Sequence, residues 1–594
     1  MTELNKVPEA QYTWNLEDIF PNQEAWESAY TQVQSEIDSY AQREGTVRMD
    51  PEGAILASSR IGQDFLPVAE YAYLMLESNN ADENAQALTE RVRTLGARFA
   101  AASSFLEPEL LEMSEAELRA LGEKAEMADF SEMLRLLIHH KKHMLSKQEE
   151  HLLAIMEPVL DGPESTYNML SNVDMKFPDM TMPDGSTEEL TEGNFSGYRI
   201  HPDRSVRKQA FEHIFGTYGR YGTTIASVFG TSVKKDNIIA AARHYDSALQ
   251  AAMEPLEIPT VVYDQLISVI HDSLPLLDRY LAIRRQRMGL DELHMYDLYV
   301  PMVNSAHMSL SFDEAFEMVV DGLAPMGRDY TDILRTARAQ RWMDVYPRHG
   351  KSSGAFSMGA LASVHPFVLL NHNDNLDCAF TIAHELGHSM HSYYSNRNQP
   401  HPKRQYSLFV AEVASTCNEA VMMRHLLQRY DDPKIKAYLL NHFLEQFRTT
   451  CFRQTMFAEF EKAVHEMDAR GEPLTRESMN RVYLDLNRLY YGRECHVDDW
   501  IACEWMRIPH FYRAYYVYVY ATGLCAAVTL SRKILLEGEN AVRQYREFLS
   551  AGCSLPPVEA LKLAGVDMSR PEPLQAAMQV FRETLDSFEE LTRI

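Results

Sequence analysis

Apolar residues recur at helical spacing along most of this chain, and that pattern limits its fold more than any other feature. Two early stretches show it, NQEAWESAYTQVQSEIDSY at 22–40 and DENAQALTERVRTLGARFAAASSFL at 82–106. Spacings of three and four residues place apolar side chains on one face of a helix. A third stretch, SKQEEHLLAIMEPVL at 146–160, opens with Ser146 and Glu149, the two members of a capping box. The pattern predicts a mainly α protein.

Two short regions depart from the helical pattern, and each predicts a small β-sheet. The stretch at 173–195 alternates polar and apolar residues around Pro183-Asp184-Gly185, which is a hairpin signal. The run PFVLL at 366–370 is apolar, short and bounded by turn residues, as a buried strand is. Because 594 residues exceed the size of one core, we expect two lobes. The predicted lobes are residues 1–195 and residues 196–594, the second carrying the site.

Charge and cysteine content exclude several classes of protein. The formal net charge of -28 argues against a nucleic-acid or anionic-membrane partner, since both need a basic surface. The N-terminal stretch lacks the basic start and apolar run of a secretory signal, and no uninterrupted apolar stretch has the length of a membrane span. Seven cysteines without a CxxC pair are typical of a reduced cytoplasmic protein. The oligomeric state stays open.

The stretch FTIAHELGHSMH at 380–391 predicts a helix with two distinct stripes. One stripe is apolar and consists of Leu376, Ala379, Phe380, Ala383, Leu386, Gly387 and Met390. The other is polar and consists of Asp377, Thr381, His384, His388 and His391. A helix of this kind is buried on one side and lines a cavity with the other.

Two histidines in this helix have the spacing of metal ligands. His384 and His388 lie one turn apart, so both can reach one ion, and Glu385 can project toward it and accept a proton from water. The alternative is a helix whose histidines form hydrogen bonds inside the protein. The extended HExxHxxGxxH pattern is excluded, because His391 and Tyr394 stand where it needs Gly and His.

A catalytic zinc needs a third protein ligand, and a following helix offers one. In SLFVAEVASTCNEAVMMRHLL at 407–427, Glu412 lies among apolar residues, where an unpaired carboxylate is costly to bury. Glu419 projects from the same face and could fix the tautomer of a ligand histidine. Asp377 and His391 are the other predicted supports of the ligands. The alternative for Glu412 is an acid on an ordinary, partly exposed helix.

An aromatic stretch near the end of the chain, IPHFYRAYYVYVY at 508–520, combines one histidine with five tyrosines. Tyrosine hydroxyls and an imidazole are suitable donors to an oxyanion that develops during acyl transfer. The alternative is an aromatic layer of the core. The residues alone leave both readings open.

Taken together, these segments resemble oligoendopeptidase F, a branch of the thimet-oligopeptidase-like zinc metallopeptidases. AHELGHSMHSYYS and FVAEVASTCNEA are similar to the two metal-binding segments of that family, at the family's separation. TWNLEDIF, SGAFSMG ahead of HPFVLLN, and IPHFYRAYYVYVYATG are similar to three further segments, in the family's order. The resemblance spans nearly the whole chain.

The resemblance implies two helical lobes around a deep substrate channel, with one Zn²⁺ per chain on its floor. It implies cleavage of short peptide substrates, because a narrow channel admits only unstructured chains. By position, His384, His388 and Glu412 match the zinc ligands, and Glu385 matches the general base.

The resemblance also assigns residues beyond the metal ligands. His510 matches the family's histidine, and the Tyr-x-x-Tyr spacing selects Tyr515 and Tyr518 as oxyanion donors, with Tyr516 as the rival if the register shifts. Gly354 and Ala355 match positions that leave room for the substrate backbone. We also expect the strand at 366–370 to pair with the extended peptide.

The expected function is therefore zinc-dependent hydrolysis of internal peptide bonds in short oligopeptides. A zinc carboxypeptidase or dipeptidase is the nearest alternative, since those enzymes also combine HExxH with a downstream glutamate. A helical peptide-binding or scaffold protein with an incidental motif is the alternative outside enzymes.

Overall fold

The chain forms two compact units that alternate along the sequence. The computed structural model describes residues 9–303 and 309–592. The first unit takes the described residues up to 142, 309–426 and 530–566, and the second takes 143–303, 427–529 and 567–592. Residue 195 lies inside the second unit, and the predicted lobes 1–195 and 196–594 stay a prediction.

The first stretch of the first unit is helical throughout. The long predicted helices at 22–40 and 82–106 are confirmed as α1 and α3. The helices here are α1 (Gln23–Tyr40), α2 (Pro51–Ser78), α3 (Glu83–Ser103), α4 (Leu106–Leu111), α5 (Glu115–Gly122) and α6 (Ser131–His140).

The first stretch of the second unit adds a hairpin to its helices. The capping box of Ser146 and Glu149 is present at the start of α7, and the predicted hairpin is confirmed, with Gly185 at a φ of 85° in its turn. The elements are α7 (Lys147–Leu160), α8 (Gly162–Met169), β1 (Met180–Thr181), β2 (Thr187–Glu188), α9 (Phe195–Arg199), α10 (Arg204–Ala242), α11 (Ala248–Met253), α12 (Val261–Asp272), α13 (Leu274–Arg287) and β3 (Leu293–His294).

The chain then returns to the first unit and forms a small sheet between helices. The elements are α14 (Phe312–Gly322), α15 (Arg328–Ala339), β4 (Met343–Asp344), β5 (Phe356–Met358), β6 (Phe367–Leu369), α16 (Leu376–Asn398) and α17 (Leu408–Arg429). The strand order is β4-β6-β5, with β4 parallel and β5 antiparallel to β6. The predicted strand in PFVLL is confirmed as β6.

The position of β6 corrects one expectation. Because β6 is the central strand, its main-chain groups already pair with β4 and β5, so an extended peptide cannot add to it. Among the described residues, no strand pairs with the outer side of β5. The edge that a peptide could extend is therefore that of β5.

The remaining elements complete both units. They are α18 (Pro433–Gln446), α19 (Arg453–Ala469), α20 (Arg476–Tyr491), β7 (Cys495–His496), two 3₁₀ segments (Asp499–Arg507 and Pro509–Tyr512), α21 (Tyr518–Glu537), α22 (Glu539–Leu549), α23 (Pro557–Leu563) and α24 (Glu572–Thr592). Helix α21 is long and apolar enough to cross a membrane, but 67% of its apolar window is buried inside the protein. The mainly α class is confirmed.

The sheet of the first unit rests on residues from near the N-terminus. Trp14 packs with Leu74, Phe367 and Leu369 in one buried cluster, and its ring meets that of Phe367 edge-on at 6.4 Å. Burying apolar surface of this size is the main stabilising contribution to such a layer. The early segment that contains Trp14 therefore supports the sheet beside α16.

Candidate metal centre

Helix α16 has the two stripes that the sequence predicts. Asn375 caps its start, because the side-chain oxygen accepts a hydrogen bond from the amide of Cys378 at 3.0 Å. The apolar stripe is buried, whereas His384 and His388 on the other stripe are half-buried. Burial of one side thus fixes the helix and leaves the two imidazoles accessible.

Helix α17 brings Glu412 to these two histidines. The Nε2 atoms of His384 and His388 lie 3.3 Å apart. Glu412 Oε2 lies 3.4 Å from the Nε2 of His384 and 3.6 Å from that of His388. The three predicted ligand atoms therefore form a nearly equilateral triangle, one of two such groups of metal-binding side chains found in the described parts of the chain.

The triangle fits a zinc ion. Bonds of about 2.0–2.1 Å in a tetrahedral site separate neighbouring ligand atoms by about 3.3–3.4 Å, which matches the three distances. Two imidazoles and a carboxylate with a free fourth position are the ligand set of a catalytic rather than a structural zinc.

A glycine allows the two ligand helices to approach. A Cβ atom on Gly387 would lie 2.5 Å from the Cα of Ser415 in α17, so any larger residue would push the helices apart. Asn418 of α17 donates to the carbonyl of Ala383 at 3.0 Å and accepts from the Tyr330 hydroxyl at 2.9 Å. The sequence pattern assigns no role to Asn418 or Ser415; the available signals are an amide and a hydroxyl in an otherwise apolar helical run.

Glu419 forms a hydrogen bond with the His384 imidazole on the side that faces away from Glu412. Its Nδ1 donates to Glu419 Oε1 at 2.5 Å, which leaves Nε2 directed to the ligand triangle. Burial opposes protonation of His384, but the hydrogen bonds to Glu412 and Glu419 outweigh it and raise the pKa to about 10. Two carboxylates therefore compensate positive charge at this position.

The pKa values of the other two members of the triangle, His388 and Glu412, are both lowered. Burial and the charge of His384 lower the pKa of His388 to about 4, so this imidazole is neutral at pH 7. The hydrogen bond from His384 and the electrostatic effect of the two histidines outweigh burial and lower the pKa of Glu412 to about 2. A neutral imidazole and an ionised carboxylate are the forms that bind metal.

Glu385 is buried beside the ligands and not among them. Only 6% of it is exposed, and burial, together with the nearby carboxylates, raises its pKa to about 7 against the opposing effect of His384. A carboxylate with a pKa near the working pH can both accept and return a proton.

The two other predicted supports, Asp377 and His391, lie on the same helix as His384 and His388. Asp377 is exposed in the first turn of α16, about two turns before His384, where a negative charge favours the helix dipole. His391 is buried and stacks on Tyr406 at 3.6 Å, and burial lowers its pKa to about 3. In the described structure its Nδ1 has no hydrogen-bond partner, and its ring contacts those of Tyr406 and Phe548.

Gly354 and Ala355 lie immediately before the edge strand β5. Gly354 has a φ of +85°, and a Cβ there would meet nothing within 4 Å. Its carbonyl accepts from the side chain of Asn371 at 2.8 Å. Strand β5 is joined to α16 by the hydroxyls of Ser357 and Ser389, which lie 2.8 Å apart. A side-chain hydrogen bond thus connects the histidine helix to the strand that follows the open segment.

Tyr515 and Tyr518 belong to the second unit, and their rings are buried there. Both pack on Tyr263, at 5.5 and 5.1 Å between ring centroids. Tyr515 has a φ of 53°, and its amide donates to the buried Glu461 at 2.7 Å. Burial raises the pKa of both hydroxyls above the usual range. This position counts against the predicted contact of these two hydroxyls with substrate.

His510 has other tyrosine neighbours in the same unit. Its ring is parallel to that of Tyr516 at 6.1 Å and perpendicular to that of Tyr520 at 6.0 Å. Tyr516 and Tyr520 meet at 5.4 Å. All three are partly or well exposed. The structure therefore groups His510 with Tyr516, the predicted rival, and with Tyr520, which the Tyr-x-x-Tyr spacing does not select.

Comparison with known proteins decides the family. Residues 198–580 match peptidase family M3, and residues 109–177 match the N-terminal family described as Oligopeptidase F. The chain belongs to peptidase family M3. The resemblance to oligoendopeptidase F is thereby confirmed, and the prediction of a zinc metalloendopeptidase is confirmed at the level of the family.

Relatives of this M3 peptidase match it along almost its whole length. Oligopeptidase PepF of Bacillus subtilis is 42% identical over 99% of this chain and 89% of its own. Group B oligopeptidase PepB of Streptococcus agalactiae is 37% identical over 100% and 99%. The crystal structure of oligoendopeptidase-F from Enterococcus faecium has a TM-score of 0.74 at 33% identity, covering 96% of this chain and 99% of that one.

Proposed function

We propose that this M3 peptidase is a zinc-dependent endopeptidase that hydrolyses internal bonds of short, unstructured oligopeptides. The observation that carries the proposal is the triangle of His384, His388 and Glu412, whose ligand atoms lie 3.3–3.6 Å apart. A metal cofactor is a property of the family; one zinc ion per chain, bound by these three residues, is our assignment.

His384, His388 and Glu412 would bind the ion, and Glu419 would fix the orientation of the His384 ring. A zinc ion bound there supplies Lewis acidity, which polarises the scissile carbonyl and makes water a stronger acid. With an ion in place of the Nε2 proton, the hydrogen bond to Glu419 would keep Nδ1 of His384 protonated and leave the lone pair of Nε2 for the ion.

Glu385 performs the proton transfers. As the oxygen of water forms its bond to the carbonyl carbon, Glu385 accepts the proton that the water loses. It then gives this proton to the amide nitrogen as the C–N bond breaks, which releases a neutral amine.

Substrate would bind as an additional strand. The outer edge of β5 offers main-chain groups to an extended peptide, and selectivity for side chains would then be loose. Gly354 and Ala355, just ahead of β5, would leave room for the peptide backbone, which agrees with the open space beside Gly354.

Donors to the substrate oxyanion are proposed from the aromatic segment at 508–520. The sequence assigned this role to His510, Tyr515 and Tyr518. The exposure of Tyr516 and Tyr520 and their position beside His510 favour those two hydroxyls instead.

The free cysteines support the proposed location of the protein, and its net charge supports the proposed class of partner. All seven cysteines are free thiols, which supports the predicted cytoplasmic location. Peptides are the expected partners, and the net charge of -28 favours neutral or basic ones over nucleic acid or an anionic membrane. The relatives named above are bacterial proteins.

An end-blocked, internally quenched peptide tests the proposal. Cleavage products identified by mass spectrometry should come from internal bonds, and a chelator should abolish them. Glu385→Gln should retain zinc and lose about 10²- to 10⁴-fold in turnover, whereas Glu412→Ala should lose zinc itself. Stepwise removal of residues from an unblocked end, without internal cleavage, would instead identify a carboxypeptidase or dipeptidase.

A further inference from the structure

A second group of metal-binding side chains, formed by His294, His496 and Asp498, lies in the second unit, where β3 and β7 pair in parallel. The register places Leu293 opposite Cys495 and His294 opposite His496. Residues opposite each other in a ladder project from the same face of the sheet. The imidazole rings of His294 and His496 accordingly lie 4.7 Å apart, at an angle of 41°.

Two carboxylates meet this pair of imidazoles. Asp498 Oδ1 accepts from Nδ1 of His294 at 2.8 Å, and its Oδ2 accepts from the amide of Met295 at 2.9 Å. On the other side, Glu292 places one oxygen 3.3 Å from Nε2 of His294 and the other 3.5 Å from Nδ1 of His496. Both nitrogens of His294 therefore face a carboxylate.

The group combines a fixed inner part with an accessible outer part. The side chains of His294 and Asp498 are 19% and 18% exposed, and the ring of His294 also stacks on Tyr296. Those of His496 and Glu292 are 52% and 63% exposed. An ion could thus enter from solvent, and the outer side chains could adjust to it without disturbing the fold.

We propose that Glu292, His294 and His496 form a second binding site for a divalent transition-metal ion. The separations of 3.3 and 3.5 Å, each to a different oxygen of Glu292, are close to those between neighbouring ligands around an ion such as zinc. Asp498 holds the opposite nitrogen of His294, which makes a carboxylate–histidine–metal arrangement. Two imidazoles and one carboxylate suit Zn²⁺, Co²⁺ or Ni²⁺ better than Mg²⁺ or Ca²⁺.

This ion would join two parts of the chain that are far apart in sequence. It would hold β3 to β7, and the 3₁₀ segments Asp499–Arg507 and Pro509–Tyr512 follow β7 directly. His510 belongs to the second of these segments. An ion that binds only the folded state stabilises that state by mass action. The site would therefore stabilise the pairing of β3 with β7, just before the segment that carries His510.

Zinc stoichiometry tests the site. The protein is dialysed against buffers with free Zn²⁺ between about 1 and 100 μM, and bound zinc per chain is measured by mass spectrometry. Wild type should reach two ions, and His496→Ala and Glu292→Gln should reach one. The matched control, removal of an exposed histidine elsewhere in the same unit by His151→Ala, should keep two.

Circular dichroism in the presence of a chelator establishes that the variants fold like wild type. In the complementary variant, Glu412→Ala, one ion should remain, and it should disappear when His496→Ala is added. A single ion in wild type over the whole range, or a second ion that His496→Ala retains, would overturn the proposal.

Cobalt spectra test the role of Asp498. Asp498→Asn should weaken binding at this site by about 10- to 100-fold, while the visible spectrum of bound Co²⁺, taken as the difference from His496→Ala, keeps its shape. A changed spectrum would show that Asp498 is itself a ligand and would overturn its assigned positioning role.

Discussion

Glu419 Oε1 lies 2.5 Å from Nδ1 of His384, on the side of the imidazole opposite to Glu412. The carboxylate therefore selects the tautomer that offers Nε2 to the metal. Glu419 lies about two turns beyond Glu412 on the same helix, so α17 supplies both a proposed ligand and the carboxylate that orients another.

Glu419→Gln should weaken zinc binding by about 10- to 100-fold, since an amide is a poorer acceptor than a carboxylate. Competition with a chromophoric chelator measures the affinity. Glu317→Gln, an exposed change in α14 of the same unit, is the control and should match wild type. Equal affinities for the two variants would refute the orienting role.

Gly387→Ala should push α16 and α17 apart. The added methyl group would meet the backbone of Ser415 at 2.5 Å, and overpacking of this kind costs about 1–3 kcal/mol. We expect a lower free energy of unfolding together with weaker zinc binding. Gly197→Ala is the matched control, because its methyl group would meet open space. Unchanged zinc affinity in Gly387→Ala would show that the ligand triangle tolerates wider helix spacing.

Tyr516→Phe and Tyr520→Phe should each lower kcat by about 10- to 1000-fold with zinc content unchanged, if these hydroxyls donate to the oxyanion. Tyr518→Phe, which changes a buried ring in the same stretch, should remain within a few-fold of wild type. The reverse pattern would restore the assignment to Tyr515 and Tyr518 that the sequence spacing favours.

Glu70→Gln should change how stability depends on pH. Glu70 in α2 is buried and accepts one hydrogen bond, from the amide of Ala360 at 3.1 Å; its other oxygen has no partner among the described residues. Burial raises its pKa from 4.5 to about 7. The folded state thus binds more protons than the unfolded state between these values, so wild type loses stability as the pH rises through that window.

The glutamine variant carries no such titration. Relative to it, wild type should lose up to about 3 kcal/mol between pH 4.5 and 7. Urea unfolding at pH 5 and pH 8 measures the difference, with the exposed Glu90→Gln as control. A difference between wild type and Glu70→Gln that does not change with pH would contradict the raised pKa.

The sequence predicted the helices, the hairpin and the strand β6 because each is specified by local periodicity or turn residues. It also selected His384, His388 and Glu412, because the i and i+4 spacing and a carboxylate in an apolar helix can be recognised from the linear sequence. Whether Tyr515 or Tyr516 is exposed was not predictable. That choice depends on the positive φ of Tyr515 and on its partner Glu461, which lies 54 residues away in sequence.

The edge strand was missed for a related reason. PFVLL is the most apolar run of the region and therefore becomes the centre of the sheet, whereas the less apolar Phe356–Met358 takes the edge. Likewise, the register that sets His294 beside His496 joins strands of two residues each, too short to leave any periodic signal. Tertiary pairing, which sequence spacing does not encode, decides both.

The alternation of the two units along the chain has a consequence for biosynthesis. Each unit closes only with residues from the C-terminal part of the chain, beyond position 529 for the first and beyond 566 for the second. Neither can therefore finish folding while the ribosome is still translating the middle of the message, although domains made from continuous segments can. Unfinished chains would expose incomplete cores for most of their synthesis, which makes the nascent polypeptide a natural client for chaperones.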